Sequence, residues 1–250
     1  MDGLISCKYT VAESRGIILC ETQDVFDAAI VQIKRARADI EAFVARFPEF
    51  RLTFEPWSWE ARHDVPRVVQ RMIDATTPFG IGPMAAVAGA IIDEVYDCIG
   101  GERVGDFIME NGGEILVRAH RPVTIGLHAG KARVGSRVGF VIPPGDLALS
   151  GIASSSATIG HAISFGNADI VTVFCGNASV ADAAATAFCN MATESDAAES
   201  VRQVTEGIRR FPAVTGIFAA RGDSVGMAGR LPGMITLAGN GKDMLDLVVH

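Results

Sequence analysis

Three observations predict an α+β fold, with an antiparallel-rich sheet and helices, rather than a doubly wound parallel sheet. Helical periodicities and strand-like runs are interspersed along the chain. Hairpin-like stretches punctuated by Gly and Pro dominate the middle, from Gly105 to Ile142, where a doubly wound sheet would place helices. No fixed-period repeat or low-complexity linker divides the 250 residues, so positions 1–250 read as one domain.

The elements follow in order. The stretch to about Cys20 reads as a strand or hairpin, with Gly16-Ile17-Ile18-Leu19 its most apolar part. Phe26, Ala29, Ile33, Ala36, Ile40 and Phe43 recur at steps of three and four, which paints one face of a long helix that Pro48 stops. Pro56-Trp57-Ser58-Trp59 is an irregular aromatic segment, covering a core edge or lining a pocket. A helix from about Asp64 turns Val68, Val69, Met72 and Ile73 inward. Gly80-Ile81-Gly82-Pro83 opens the next helix, Met84 to about Ile99, which Gly100-Gly101 closes. Its small residues, Ala85, Ala86, Ala88, Gly89 and Ala90, would let another backbone or a ligand come close.

Strand-like runs then cover Ile115–Arg118, Val123–Leu127 and Val138–Ile142. Ile170–Phe174 reads as a buried central strand. Gly176-Asn177-Ala178 leads into a helix beginning near Ser179, where Ser179 and Asp182 have capping-box spacing. A helix around Asp196–Arg210 ends at Pro212, and Val214–Ala219 and Met234–Ala238 are late strands.

Composition narrows the function classes. Hydrophobic residues are 49% of the chain and mean hydropathy is +0.29, too apolar for a disordered protein. The 22 basic and 29 acidic residues leave a net charge of −7 with no basic stripe, which argues against nucleic acid as partner. The longest uncharged apolar stretch, Phe79 to Ile92, falls short of the ~20 residues that span a bilayer. Five cysteines without a CxxC pair read as reduced thiols in a cytoplasmic protein. Leu4-Ile5-Ser6-Cys7 resembles a lipoprotein box but lacks the basic start and apolar run of a signal peptide.

Three segments could carry chemistry. Glu110-Asn111-Gly112-Gly113-Glu114 sits between strand-like runs, where two glycines permit a tight turn with exposed amides and flanking acids. It is either a simple hairpin turn or a place where a heterocycle or ribose binds. In Ser179–Thr186, Asp182 and Thr186 are four residues apart, one turn above the other on a helix. A carboxylate and a hydroxyl among small residues suit a hard cation such as Mg²⁺. The competing reading has Asp182 capping its own helix and Thr186 bonding back to a carbonyl. The third segment, Ser150 to His161, is dense in hydroxyls and glycine. Ser154, Ser155 and Ser156 could line a polar loop that wraps phosphates with backbone amides, with His161 as a base. A solvated loop with a structural histidine fits the same residues.

Taken together, the Asn-Gly-Gly-acid turn, the Ser-Gly…His segment and Ala181-Asp182-Ala183-Ala184-Ala185-Thr186 resemble the ApbE-like superfamily. Its best-known members move FMN from FAD onto a protein threonine. The resemblance runs from about Gly82 to Met191. Gly82-Pro83-Met84-Ala85-Ala86-Val87-Ala88-Gly89-Ala90, with Gly160-His161-Ala162-Ile163-Ser164-Phe165-Gly166, looks closer still to a short, uncharacterised branch.

The resemblance implies an α+β arrangement related to the T-fold, its sheets backed by helices, with Asp182, Thr186 and a backbone carbonyl near Ala85 as Mg²⁺ ligands. It implies Asn111, Gly112, Gly113 and Glu114 beside a flavin nucleotide, FAD or FMN, and His161 in catalysis. Ser155-Ser156-Ala157-Thr158 is similar to the Ser-Gly-Ala-Thr site that transferases modify, without its upstream Asp. Two departures bear on transfer: Ala88-Gly89 stands where transferases carry Lys-Gly, and no Pro…Thr-Gly follows His161. The expected function is therefore Mg²⁺-assisted binding of a small-molecule nucleotide, with transfer of a nucleotidyl or FMN group. The alternative is a binding module without transfer chemistry. Homo-oligomerisation stays open. Lys131, Arg133 and Arg137 read as a solvated strand face, and Arg221-Gly222-Asp223 as a turn.

Overall fold

The computed structural model describes residues 3–58, 64–127, 138–144, 150–156, 166–236 and 248–249. The chain opens with the hairpin β1 (Ile5–Val11) and β2 (Ser14–Cys20), then α1 (Gln23–Arg46) and the single turn α2 (Glu49–Leu52). α3 (Arg67–Thr76) follows, then a 3₁₀ turn over Pro83–Ala86 that runs into α4 (Val87–Cys98). Next come β3 (Phe107–Asn111), β4 (Glu114–Arg118), β5 (Val123–Leu127), β6 (Val138–Ile142), β7 (Ser150–Ser155) and β8 (Ile170–Cys175). The remainder is α5 (Ala178–Met191), α6 (Ala197–Gly207), β9 (Val214–Arg221), β10 (Ser224–Gly229), β11 (Gly233–Thr236) and β12 (Val248–Val249).

Eight strands form one sheet in the order β1-β2-β3-β4-β7-β8-β9-β10, with every neighbouring pair antiparallel. A four-stranded sheet, β11-β6-β5-β12, lies on one side of it, and helices cover the other. The fold is α+β, as the interspersed elements predict.

The period of two along each strand sorts side chains between the two layers. On β2, Ile18 and Cys20 join the core under the helices, while Leu19 joins the core between the sheets. On β4, Leu116 goes to the helices, and Ile115 and Val117 go between the sheets. The stripe of α1 works as its spacing requires: Ala29, Ile33, Ala36, Ile40 and Phe43 are all buried. Trp57 covers a core edge, its ring edge-on to Phe50 at 5.3 Å.

Two sequence expectations are corrected here. Residues 150–155 form an interior strand rather than a polar loop, because β4 and β8 flank them and absorb their backbone bonds. The helix after β8 begins at Ala178, and its cap is Asn177, whose Oδ1 accepts from the Val180 amide at 2.9 Å. Ser179 is already inside the helix and donates its hydroxyl to the same oxygen, so it forms no capping box with Asp182. β10 was not anticipated; its glycines at positions 226 and 229 weaken the strand signal. Arg221-Gly222-Asp223 spans the turn from β9 to β10.

Candidate functional site

The site grows from the contact of α4 with α5. Gly89 lets the two helices approach so closely that a Cβ there would collide with the Ala178 carbonyl. Neither the 3₁₀ turn nor α4 has a side chain of its own to cap its first amides. Asp182, on α5, supplies one: its Oδ2 accepts from the Gly89 amide at 2.9 Å. Asp93, on α4, does the reverse for α5. Its two oxygens accept from Ala178 N at 3.0 Å and Ser179 N at 2.8 Å. The two helices thus cap each other's N-termini with carboxylates, which suits the positive end of each helix dipole.

The β3–β4 hairpin closes the site. Its turn needs positive φ at Gly112 (72°) and Gly113 (118°), which glycine tolerates. Asn111 and Glu114 face each other across it as register partners. Asn111 donates its side-chain amide to the Ala88 carbonyl at 3.2 Å, one residue from the Gly89 amide that Asp182 holds. Glu114 alternates with Leu116 and so lies on the helix side of the sheet, where its charge interacts with that of Asp182. The amides of both glycines are occupied within the fold: Gly112 N donates to Arg15 O, and Gly113 N to Glu110 Oε1. The expected exposed amides are therefore not on offer, and the glycines contribute by leaving room.

Asp182 and Glu114 are each only 9% exposed. Burial pushes Asp182 up to about 7, partly offset by hydrogen bonds from the Gly89 and Ala88 backbone. Burial, and then the nearby Asp182 charge, push Glu114 well above the usual carboxylate range. Neither carboxylate forms an ion pair with a described Lys, Arg or His. Among the described residues no cluster of three or more His, Cys, Asp or Glu is poised to hold a metal, so a cation here would rely on a carboxylate with neutral oxygens. Hard oxygens beside buried negative charge are a donor set that fits Mg²⁺.

The other expected site residues fall as follows. Thr186 is half-buried, one helical turn beyond Asp182. Ala85 lies in the 3₁₀ turn whose Ala86 packs on Ala183 of α5. Ser155 shares the helix side of the sheet, for its register partner Val171 lies in the core under α5. Ser154 points the other way, between the sheets, where its hydroxyl pairs with Thr172 at 2.8 Å. Ser156 follows the end of β7. Expectations for His161, Thr158, Trp59, Lys131, Arg133 and Arg137 lie outside the described residues.

Sequence reasoning missed Asp93. The signal was there: it is the first charge after the uncharged run from Phe79, and it sits on the buried face of a helix.

A family model described as AbpE bacteria matches residues 6–214. The UPF0280 protein of Methanocaldococcus jannaschii is 34% identical over 90% of this chain and 91% of its own length. That of Methanocella arvoryzae is 36% identical, over 92% and 91%. Among solved structures, the flavin transferase ApbE from Vibrio cholerae superposes with a TM-score of 0.57 at 11% identity, covering 94% of this chain and 97% of that one. The ApbE protein from Thermotoga maritima gives 0.57 at 13%, over 90% and 97%. At these identities the structural likeness speaks for the fold alone, while the sequence matches speak for kinship. The chain belongs to the ApbE-like superfamily, in the short branch of the UPF0280 proteins.

Proposed function

We propose that this protein binds a flavin or related nucleotide together with Mg²⁺, and that it transfers a nucleotidyl or FMN group. The observation that carries the reading is the pair of buried carboxylates, Asp182 and Glu114, without a basic partner among the described residues and beside the Asn111–Gly113 turn. Such a pair is costly unless a proton or a cation stands between the charges. The flavin transferase named among the structural neighbours supports the choice of ligand.

In this reading Asp182, Thr186 and the carbonyl of Ala85 hold the cation, and Asn111 and Glu114 border the nucleoside side. Bound there, Mg²⁺ would neutralise phosphate charge and polarise a pyrophosphate. The chain's own part is to orient. Asn111 ties the hairpin to α4, Asp182 ties α4 to α5, and Asp93 ties them again at the other helix start. Ser155 and Ser156 contribute hydroxyls at the end of β7, and His161 acts as base.

A second reading, a binding module without transfer chemistry, has a specific observation behind it. Ala88, where the transferases' lysine would stand, brings no charge to the start of α4. One experiment separates the two: incubate the protein with FAD and Mg²⁺, then measure flavin binding, AMP release and mass gain on protein. Mg²⁺-dependent binding with AMP release, lost in Asp182→Asn, is expected. Binding without turnover, unchanged in that variant, leaves the module. No binding of FAD, FMN or ATP overturns both.

A further inference from the structure

The two carboxylates differ in how the fold uses them. Asp182 has a structural task, since backbone amides of α4 already donate to it. Glu114 has none that the fold displays. Among the described residues its carboxylate takes a hydrogen bond only from its own amide, although the side chain is nine-tenths buried. Ionised without a partner, a carboxylate so placed costs on the order of several kcal/mol.

Its aim is set by the strand. Strand alternation places it beside Leu116 on the helix side, and its register partner Asn111 is bonded to α4 next to the residue that Asp182 grips. Glu110, the other acid of this hairpin, is not equivalent. Its Oε1 is occupied by the Gly113 amide, which turns it back on its own loop. Asp93 is likewise saturated by two α5 amides. Of the four acids here, only Glu114 has both side-chain oxygens uncommitted to any other described residue.

We propose that Glu114 is a direct ligand of the divalent cation, facing Asp182 from the opposite wall, so that the site presents two carboxylates to one M²⁺. This rests on the cation-binding reading above and changes it in one respect. Glu114 moves from the nucleoside side to the metal, and the loaded site becomes electrically neutral before any phosphate arrives. Phosphate oxygens would then complete the cation's shell without having to compensate buried protein charge.

The test uses Mn²⁺ alone as probe, its binding read by electron paramagnetic resonance of the free ion and by the rise in Tm on titration. Glu114→Gln is expected to weaken Mn²⁺ binding about tenfold or more, comparable to Asp182→Asn. The metal-free Glu114→Gln protein should melt at the same temperature as the parent or higher, since a like charge has been removed. That outcome separates a ligand from a residue that merely supports the hairpin, whose loss would lower the metal-free Tm. Glu114→Ala provides a second variant should the amide disturb folding. Unchanged Mn²⁺ affinity in either Glu114 variant, with loss in Asp182→Asn, overturns this inference and leaves the cation reading standing. No Mn²⁺ binding by the parent protein overturns both.

Discussion

The two faces of the eight-stranded sheet solve burial in opposite ways. Between the sheets the side chains are aliphatic and aromatic, with Phe140 stacked edge-on to Phe174 at 4.9 Å and Phe218 at 5.8 Å. The buried Thr172 hydroxyl there pairs with the half-buried Ser154. Under the helices, by contrast, Asp93, Asn111, Glu114 and Asp182 are all buried within one neighbourhood. The difference lies in what covers each face. Helix N-termini bring unpaired amides that stabilise anions, whereas sheet amides are already committed to their ladders. Charge can therefore be buried on the helix side, and a site can be built there.

The largest effect should come from puncturing the apolar face. Phe140→Ala is expected to cost about 3–5 kcal/mol in chemical denaturation, with Mn²⁺ affinity of the folded protein retained. A matching loss of Mn²⁺ binding would show that the two faces are not independent. Gly89→Ala comes next. Its methyl would collide with the Ala178 carbonyl, so α4 and α5 must part. We expect a loss of about 1–3 kcal/mol, accompanied by weaker Mn²⁺ binding. Stability lost with binding intact would mean that the helix contact does not position the site.

The buried acids make a pH prediction. Asp182 is held near 7 in the folded protein by burial, against ~3.9 when unfolded. Its neutral form is therefore the one that folding favours. That contribution is fully present below the unfolded value and is lost as pH rises through about 7. The metal-free protein should melt lower at mildly alkaline than at mildly acidic pH, and Mn²⁺ should restore the alkaline Tm. An equally steep pH dependence in Asp182→Asn would assign the effect to other groups.

The smallest effect tests the self-satisfied pair. Thr172→Val removes the partner of the half-buried Ser154 hydroxyl and should cost roughly 0.5–1.5 kcal/mol, while adding Ser154→Ala should return most of it. A double variant as unstable as the two single losses combined would show that the hydroxyls do more than pair with each other.

Much of the architecture was legible in the sequence because it follows from local periodicity. The α1 stripe was read from steps of three and four, the N-terminal strand or hairpin and the wholly buried β8 from apolar runs, and the β3–β4 turn from its two glycines between strand-like runs. The Asn111–Glu114 turn and Asp182 were legible as candidates because glycine pairs and acids in small-residue helices are conspicuous. β7 was not, since hydroxyls and glycine carry a loop signature and only its two neighbouring strands make a strand of it.

By itself, then, the sequence determined most of the segments that coil or extend, β7 and β10 excepted, and it singled out an acid-flanked glycine turn and Asp182 as candidates. The tertiary structure decided what those residues touch. The exchange of caps between α4 and α5 joins residues 93 and 178, which no local pattern relates. The same holds for Glu114, which among the described residues takes a hydrogen bond only from its own amide, as is visible only once the neighbouring amides have been assigned. Capping and burial are properties of contacts between distant segments. A carboxylate's role depends on which amides and charges the fold sets around it.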